Sequence, residues 1–387
     1  MEKKILSSKA EKIHPSQINE FFNLLLSDTS ATPLCVGQPN FQTPKNIEEA
    51  AIQAIREGKT FYTSDNGLPE LREALSKYLL DKYQCQYSPD EILMTIGASE
   101  AIDLSLRTLL NPDDEVIVFD PVYDAYEPCI TLAGGKAIHV RLKESWNYKI
   151  DPSDLEKAIT PKTKAILLNY PNNPTGAIMA KEDLLPIADI CIKHDLFVIT
   201  DEIYSELTYQ GSHFSIASLP HMKEKTFLIN GFSKAFAMTG WRLGYLCGPL
   251  SLIEEARKIH SYTIVCCSSI SQYAALEAIQ HSEDLVVYMR KDYDKRRRYA
   301  YQRIKDMGLD CFEPEGAFYL FPSIAKFGMD SYTFALRLFK EESLAVIPGS
   351  AFGKEGEYHL RISYTCSMEE LKIGLDKLQH FIYKISK

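Results

Sequence analysis

No stretch of this 387-residue sequence is long and apolar enough to cross a bilayer. The longest apolar run near the N-terminus, 21–26, is interrupted by Asn23, whereas a spanning helix needs about 20 apolar residues. The opening MEKKILSSKAEK lacks the apolar stretch and small-residue cleavage site of an export signal, so a cytoplasmic protein without membrane contact is expected. Positive charge is also in short supply: 43 Lys and Arg against 52 Asp and Glu leave a net charge of −9. That balance disfavours general affinity for nucleic acid or anionic membranes, and small anions must be met by individually placed cations. There is no CxxC pair. The nine cysteines are scattered, and the adjacent Cys266 and Cys267 suit neither a shared metal site nor a relaxed disulfide, so they read as reduced and mostly buried. No GxGxxG follows an apolar run, and the nine histidines form no HExxH. Residues 348–355 differ from a phosphate loop by one glycine spacing and by Glu355 in place of a hydroxyl residue. Neither a nucleotide nor a metal is expected. Low-complexity tracts, Gly/Ser linkers and repeats are missing, which predicts domains that share a long helix and not a floppy connector.

What is present suits a large core. At 45 % hydrophobic over this length, the chain has room for about two to three domains, and a two-domain enzyme fits. Short apolar or β-branched runs recur at 92–95, 115–119, 137–141, 165–169, 197–200, 226–230 and 244–247. Several are continuously apolar, as expected of strands covered on both faces. Helix-like segments such as 99–110 and 181–194 lie between them. The alternation predicts an α/β domain with a mostly parallel sheet. After about Glu254 the pattern becomes helical, with a charge run at 291–298 that suits an exposed helix face. Strand-like pieces at 316–321, 344–347 and 360–363 and a helix over 368–384 complete a smaller α+β domain.

The chemistry clusters at the ends of these runs. Lys234, in Asn230-Gly231-Phe232-Ser233-Lys234, follows an apolar strand, where open α/β sheets bind ligands. Desolvated there, its amine can form an imine and move a proton; read alone, Ser-Lys carries no signal and reads as a solvated lysine. Asp201 ends the run 197–200 and could pair with a protonated ring nitrogen or simply cap a helix. Tyr204 stands three residues on. Asn173 lies in Asn169-Tyr170-Pro171-Asn172-Asn173-Pro174-Thr175-Gly176, a defined turn able to hold an amide against a ligand. Arg242, flanked by Gly240 and Gly244, and the helix start at Gly97-Ala98-Ser99 offer charge and directional donors to one phosphate. Arg361 is a cation inside an apolar run, costly unless an anion meets it. A substrate carboxylate or a structural acid would serve.

With these residues in this order, the chain resembles the fold-type I pyridoxal-phosphate enzymes, specifically the class I and II aminotransferases. The resemblance runs from Val36-Gly37-Gln38-Pro39-Asn40-Phe41-Gln42-Thr43-Pro44 through Tyr62-Thr63, Gly67 and Leu71-Arg72 to Arg361. It implies pyridoxal 5'-phosphate linked to Lys234, with Asp201 at the pyridine nitrogen, Asn173 and Tyr204 at the ring oxygen and Tyr123 stacked on the ring. Ala98, Ser99, Ser233 and Arg242 would hold the phosphate, joined by Tyr62 from the partner of a homodimer. Gly37, Asn173 and Arg361 would receive the substrate carboxylate. It also implies a seven-stranded sheet in a large domain, 41–280, and a small domain joining 1–40 to 281–387. Residues Ile13, Phe21 and Phe22 would lie near the entrance and close over substrate.

Gln38 and Asn40 replace two acids that relatives often carry, and no motif supplies a second arginine for an acidic side chain. The strings Asp201-Glu202-Ile203-Tyr204-Ser205-Glu206-Leu207-Thr208-Tyr209 and Met238-Thr239-Gly240-Trp241-Arg242 look most like bacterial aminotransferases described as aromatic or as acting on N-acetyl-diaminopimelate. The resemblance therefore implies ping-pong transamination from such an L-amino acid to a 2-oxo acid, 2-oxoglutarate. A carbon–sulfur β-lyase with the same cofactor is the alternative. A ligand-sensing regulator is a remote one, since little sequence precedes Gly37 to carry a DNA-binding extension.

Overall fold

The computed structural model describes residues 7–28 and 30–387. Its central feature is a seven-stranded sheet made of β2 (Ile92–Thr95), β3 (Glu115–Asp120), β4 (Lys136–Arg141), β5 (Thr163–Asn169), β6 (Phe197–Asp201), β7 (Thr226–Gly231) and β8 (Gly244–Cys247). The order is β2-β8-β7-β6-β5-β3-β4, with β8 antiparallel to both its neighbours and the other pairings parallel. Each apolar run read from the sequence is one of these strands, to within two residues.

Alternation along the strands divides the core. Val116, Val118, Phe227 and Ile229 face a cluster built with the helix Gly97–Leu109. Their neighbours Ile117, Phe119 and Leu228 point to the opposite face, into two further clusters. A side-chain period of two buries both faces, which is why β7 is buried throughout, Thr226 and Asn230 included.

Outside this sheet, β1 (Thr32–Pro33) pairs in parallel with β10 (Leu344–Ala345), and β11 (Ile347–Pro348), β12 (Leu360–Ser363) and β9 (Tyr319–Leu320) form an antiparallel trio. The expected strand at 316–321 is therefore only Tyr319–Leu320, and 344–347 splits in two at Val346, because each piece pairs with a different partner. Phe21 and Leu34 share one cluster with Phe334, Leu344 and Phe381. We propose the 1–40 plus 281–387 division from the β1–β10 pairing, which joins the two ends of the chain. The helices Ser269–His281 and Glu283–Asp306 meet at Ser282 with no linker between them.

The charge run 291–298 does not form a uniformly exposed face. Arg296 and Arg297 are buried. Arg296 donates to Asn40 Oδ1 at 2.9 Å and to the Thr365 carbonyl at 2.7 Å. Arg297 meets Asp294 and Glu313, both at 2.8 Å, and the Pro314 carbonyl at 2.9 Å. Acceptors from distant loops make burial of these guanidinium groups tolerable.

Candidate active site

The ends of the parallel strands converge on one cavity of about 460 Å³. Asn169 ends β5 and Asp201 ends β6, and the two residues are register partners. Asn169 Nδ2 donates to the Asp201 carbonyl at 3.0 Å, while its Oδ1 accepts from the Asn173 amide at 2.9 Å. Asn172 Oδ1 accepts from the Thr175 amide and hydroxyl at 3.0 and 2.7 Å. The turn that the sequence marked is thus tied to the strand edge by its own side chains, which hold Asn173 in place.

Asn173 Oδ1 accepts from Arg361 Nη1 at 3.1 Å, and the Cys35 carbonyl accepts from Arg361 Nη2 at 2.8 Å. Arg361 is 2 % exposed and lies over the rings of Tyr319 and Phe352, at 4.4 and 5.0 Å. Its hydrogen-bond partners among the described residues are these two neutral oxygens, and its Nε has none. A buried guanidinium held only by neutral oxygens and ring faces is suited to receive an anion. Gly37 belongs to the same end: a Cβ there would stand 2.7 Å from Tyr319 Oη.

Lys234 Nζ donates to the Gly37 carbonyl at 2.7 Å. Burial, then the charges of Arg361 and Arg242, bring its amine down to about 8. Asp201 is pushed the other way, up to about 6, chiefly by burial; Tyr126 Oη donates to Oδ2 at 2.8 Å and the Ile203 amide to Oδ1 at 3.1 Å, which offset part of that rise. Tyr204 shares a 2.8 Å hydrogen bond with Tyr319 Oη. Burial raises its hydroxyl well above the usual range, as it does that of Tyr126.

Ala98, Ser99, Ser233 and Arg242 line the other end. Gly97 has φ +70, and a Cβ on it would lie 2.9 Å from Arg242 Nη2. Gly244 presses equally close from β8: its Cβ would come within 2.8 Å of the Ala98 nitrogen. Gly240 has open space around it, so of the two glycines flanking Arg242 only Gly244 serves a close approach. First-turn N–H groups, two hydroxyls and an arginine surround this end, a set that suits phosphate.

Eleven of the twelve residues singled out in the sequence therefore line this one cavity. Tyr62 does not. It is 84 % exposed on the surface, beside Phe61. At the entrance Ile18, Asn19 and Phe22 line the cavity. Phe21, one helical step from Phe22, is fully buried against Tyr332, and Ile13 lines a separate groove. Sequence reasoning missed Tyr126, Asn169 and Tyr319 in the cavity. Asn169 stood in the marked turn, but the other two reach the site only through long-range packing and carry no local signal.

A strand-edge cavity with a depressed lysine, a buried carboxylate, a helix start suited to phosphate and a buried arginine has the groups that a pyridoxal-phosphate site of the aminotransferase kind requires. The family described as aminotransferase class I and II matches residues 29–378, and the chain belongs to it. The chain is 44 % identical to a putative aminotransferase, YugH, of Bacillus subtilis over 98 % of both chains. It is also 44 % identical to a probable N-acetyl-LL-diaminopimelate aminotransferase of that organism, over 98 % of this chain and 96 % of the relative. Among solved structures, the aspartate aminotransferase of Thermus thermophilus with maleate superposes with a TM-score of 0.94 at 35 % identity, covering 98 % of this chain and 100 % of that one. Other relatives are named aspartate or aromatic-amino-acid aminotransferases. The protein is an aminotransferase, and enzymes of this family use pyridoxal 5'-phosphate. Among the described residues no helix is long and apolar enough to cross a membrane.

Proposed function

We propose that this aminotransferase moves the amino group of an aromatic or N-acetyl-diaminopimelate-type L-amino acid to 2-oxoglutarate in two half-reactions. The carrying observation is the charge inventory of the cavity. Its cations are Lys234, Arg242 and Arg361, and the end bounded by Ile18, Asn19 and Phe22 has none. One α-carboxylate fits Arg361, while an aspartate side chain would lie against neutral groups.

The residues divide the work. Arg361, Asn173 and Gly37 orient the α-carboxylate; Ala98, Ser99, Ser233 and Arg242 hold the cofactor's phosphate. Asp201 would hold its pyridine nitrogen, Asn173 and Tyr204 its ring oxygen, and Tyr123 would pack against the ring. Pyridoxal phosphate, when bound, supplies an electron sink for the pair left at the substrate α-carbon. Lys234 would serve as the general base, taking the substrate α-proton on Nζ and holding it for return. Phe22 and Ile18 keep water from the cavity mouth. Tyr62 reaches the phosphate of the second subunit in a homodimer; the exposed Phe61 and Tyr262, at 84 % and 94 %, support such an interface.

Single additions of phenylalanine, tyrosine, N-acetyl-diaminopimelate, glutamate and aspartate to purified holoenzyme, without oxo acid, test the donor. The first three should change the cofactor absorbance with kcat/KM at least about tenfold above aspartate. Aspartate as the fastest donor would overturn the assignment. Capture of pyridoxal phosphate by the apoprotein tests Lys234 separately. Because the neutral amine is the nucleophile and its pKa is lowered to about 8, the rate should rise with pH, reach half its limit near 8 and level off above. An ordinary lysine would still be climbing at pH 10.

A further inference from the structure

Glu100 follows Ser99 directly in the helix Gly97–Leu109, so its carboxylate stands one residue from the proposed phosphate contacts. Free negative charge there would repel a second anion. Both of its oxygens are engaged. Oε2 accepts from the Ile96 amide, the last before the glycine turn, and Oε1 lies 2.7 Å from His260 Nδ1. A carboxylate only accepts, so Nδ1 carries the hydrogen. His260 comes from a different helix, Leu250–Thr263, and is 0 % exposed. Its Nε2 has no partner. A fully buried imidazole whose only polar contact is one carboxylate oxygen is placed for that contact, since buried polar groups are otherwise paired.

We propose that His260 is a positioning residue for cofactor binding. It pins Glu100 against the Ile96 amide and away from the phosphate end, leaving the free N–H groups of the turn to the anion. The inference rests on the proposed assignment of the phosphate to Ala98, Ser99, Ser233 and Arg242. Gly244 supports the same turn from the β8 side, so the turn is held between a strand and the Glu100–His260 hydrogen bond.

The test is equilibrium titration of apoprotein with pyridoxal phosphate and with pyridoxal, which lacks the phosphate. The readout is the ratio of the two affinities. His260→Ala should lower this ratio by about tenfold, the effect of a misplaced charge at a helix start. Adding Glu100→Gln to His260→Ala should bring it back to within about threefold of wild type, because the repelling charge is gone. A purely structural role for His260 would weaken both ligands alike and would not be rescued. An unchanged ratio in His260→Ala, or no recovery in the double variant, overturns the proposal. If His260→Ala does not fold, His260→Gln replaces it: its amide can still donate to Glu100, so a wild-type ratio is expected and a tenfold fall overturns the proposal. Wild-type protein that prefers pyridoxal phosphate no more than pyridoxal would instead defeat the phosphate assignment itself.

Discussion

Lys234→Ala should turn over amino donors about 10⁴-fold more slowly than wild type, the range that a positioned general base contributes. The loss is large because nothing else in the cavity can take over. Burial raises the hydroxyls of Tyr123, Tyr126, Tyr204 and Tyr319. The Cys35 thiol is pushed up to about 11, again chiefly by burial. Asp201 titrates near 6, but its oxygens are occupied by Tyr126 and the Ile203 amide. Only the Lys234 amine, at about 8, exchanges a proton near neutral pH and is free to swing from the Gly37 carbonyl to the reacting carbon. Steady-state rates with the best donor of the panel measure the effect. Turnover of the variant within tenfold of wild type would remove Lys234 from the chemistry.

Asp201→Asn should lower kcat of the holoenzyme by about 10²- to 10³-fold, as removing one member of a buried charged pair costs about 3–5 kcal/mol. The same change should stabilise the apoprotein at neutral pH. Burial holds the Asp201 carboxyl at about 6 against an ordinary 3.8, so the native state binds its proton more tightly than the unfolded chain does. Well below pH 3.8 the group is protonated in both states and costs nothing. As pH rises from 4 through 6 the unfolded chain ionises first, and native stability falls by on the order of 3 kcal/mol. An asparagine has no charge to bury, and the Tyr126 hydroxyl can accept from its amide. Apo wild type and variant should therefore melt together well below pH 3.8 and diverge by pH 7, with the variant higher. Parallel curves at both pH values would mean that Asp201 carries no desolvation penalty. A variant less stable only at neutral pH would mean that a cation already faces it. Activity here is linked to instability, since the carboxylate that destabilises the apoprotein is the one proposed to pair with the cofactor's nitrogen.

The seven runs were legible as strands because a buried strand in a parallel sheet is apolar on both faces and needs no tertiary partner to be recognised. The large sheet also explains why Asn173, Asp201, Lys234 and Arg242 could be linked from sequence: each follows or precedes such a run closely, and parallel strands bring their C-terminal ends to one edge. Antiparallel β8 joins that edge by its first residue, which carries Arg242 in with it. Outside the sheet the reading was poorer. Two-residue strands such as Tyr319–Leu320 have no periodicity to read, and the charge run around Arg296 and Arg297 looked solvated because the carbonyls that receive it come from residues 314, 365 and 366.

The sequence by itself, through the order of its motifs and the resemblance they carry, determined the class of enzyme, its cofactor and the residues that follow strand ends, among them Asn173, Asp201 and Lys234, since these sit at short offsets from strands whose burial is written in their composition. Only the tertiary structure decided that Arg361 donates to two neutral oxygens, that Tyr126 rather than a cation meets Asp201, and that His260 closes on Glu100. Those contacts join residues 75 to 188 positions apart. Their energies depend on which groups exclude water from one another, and no local pattern records that.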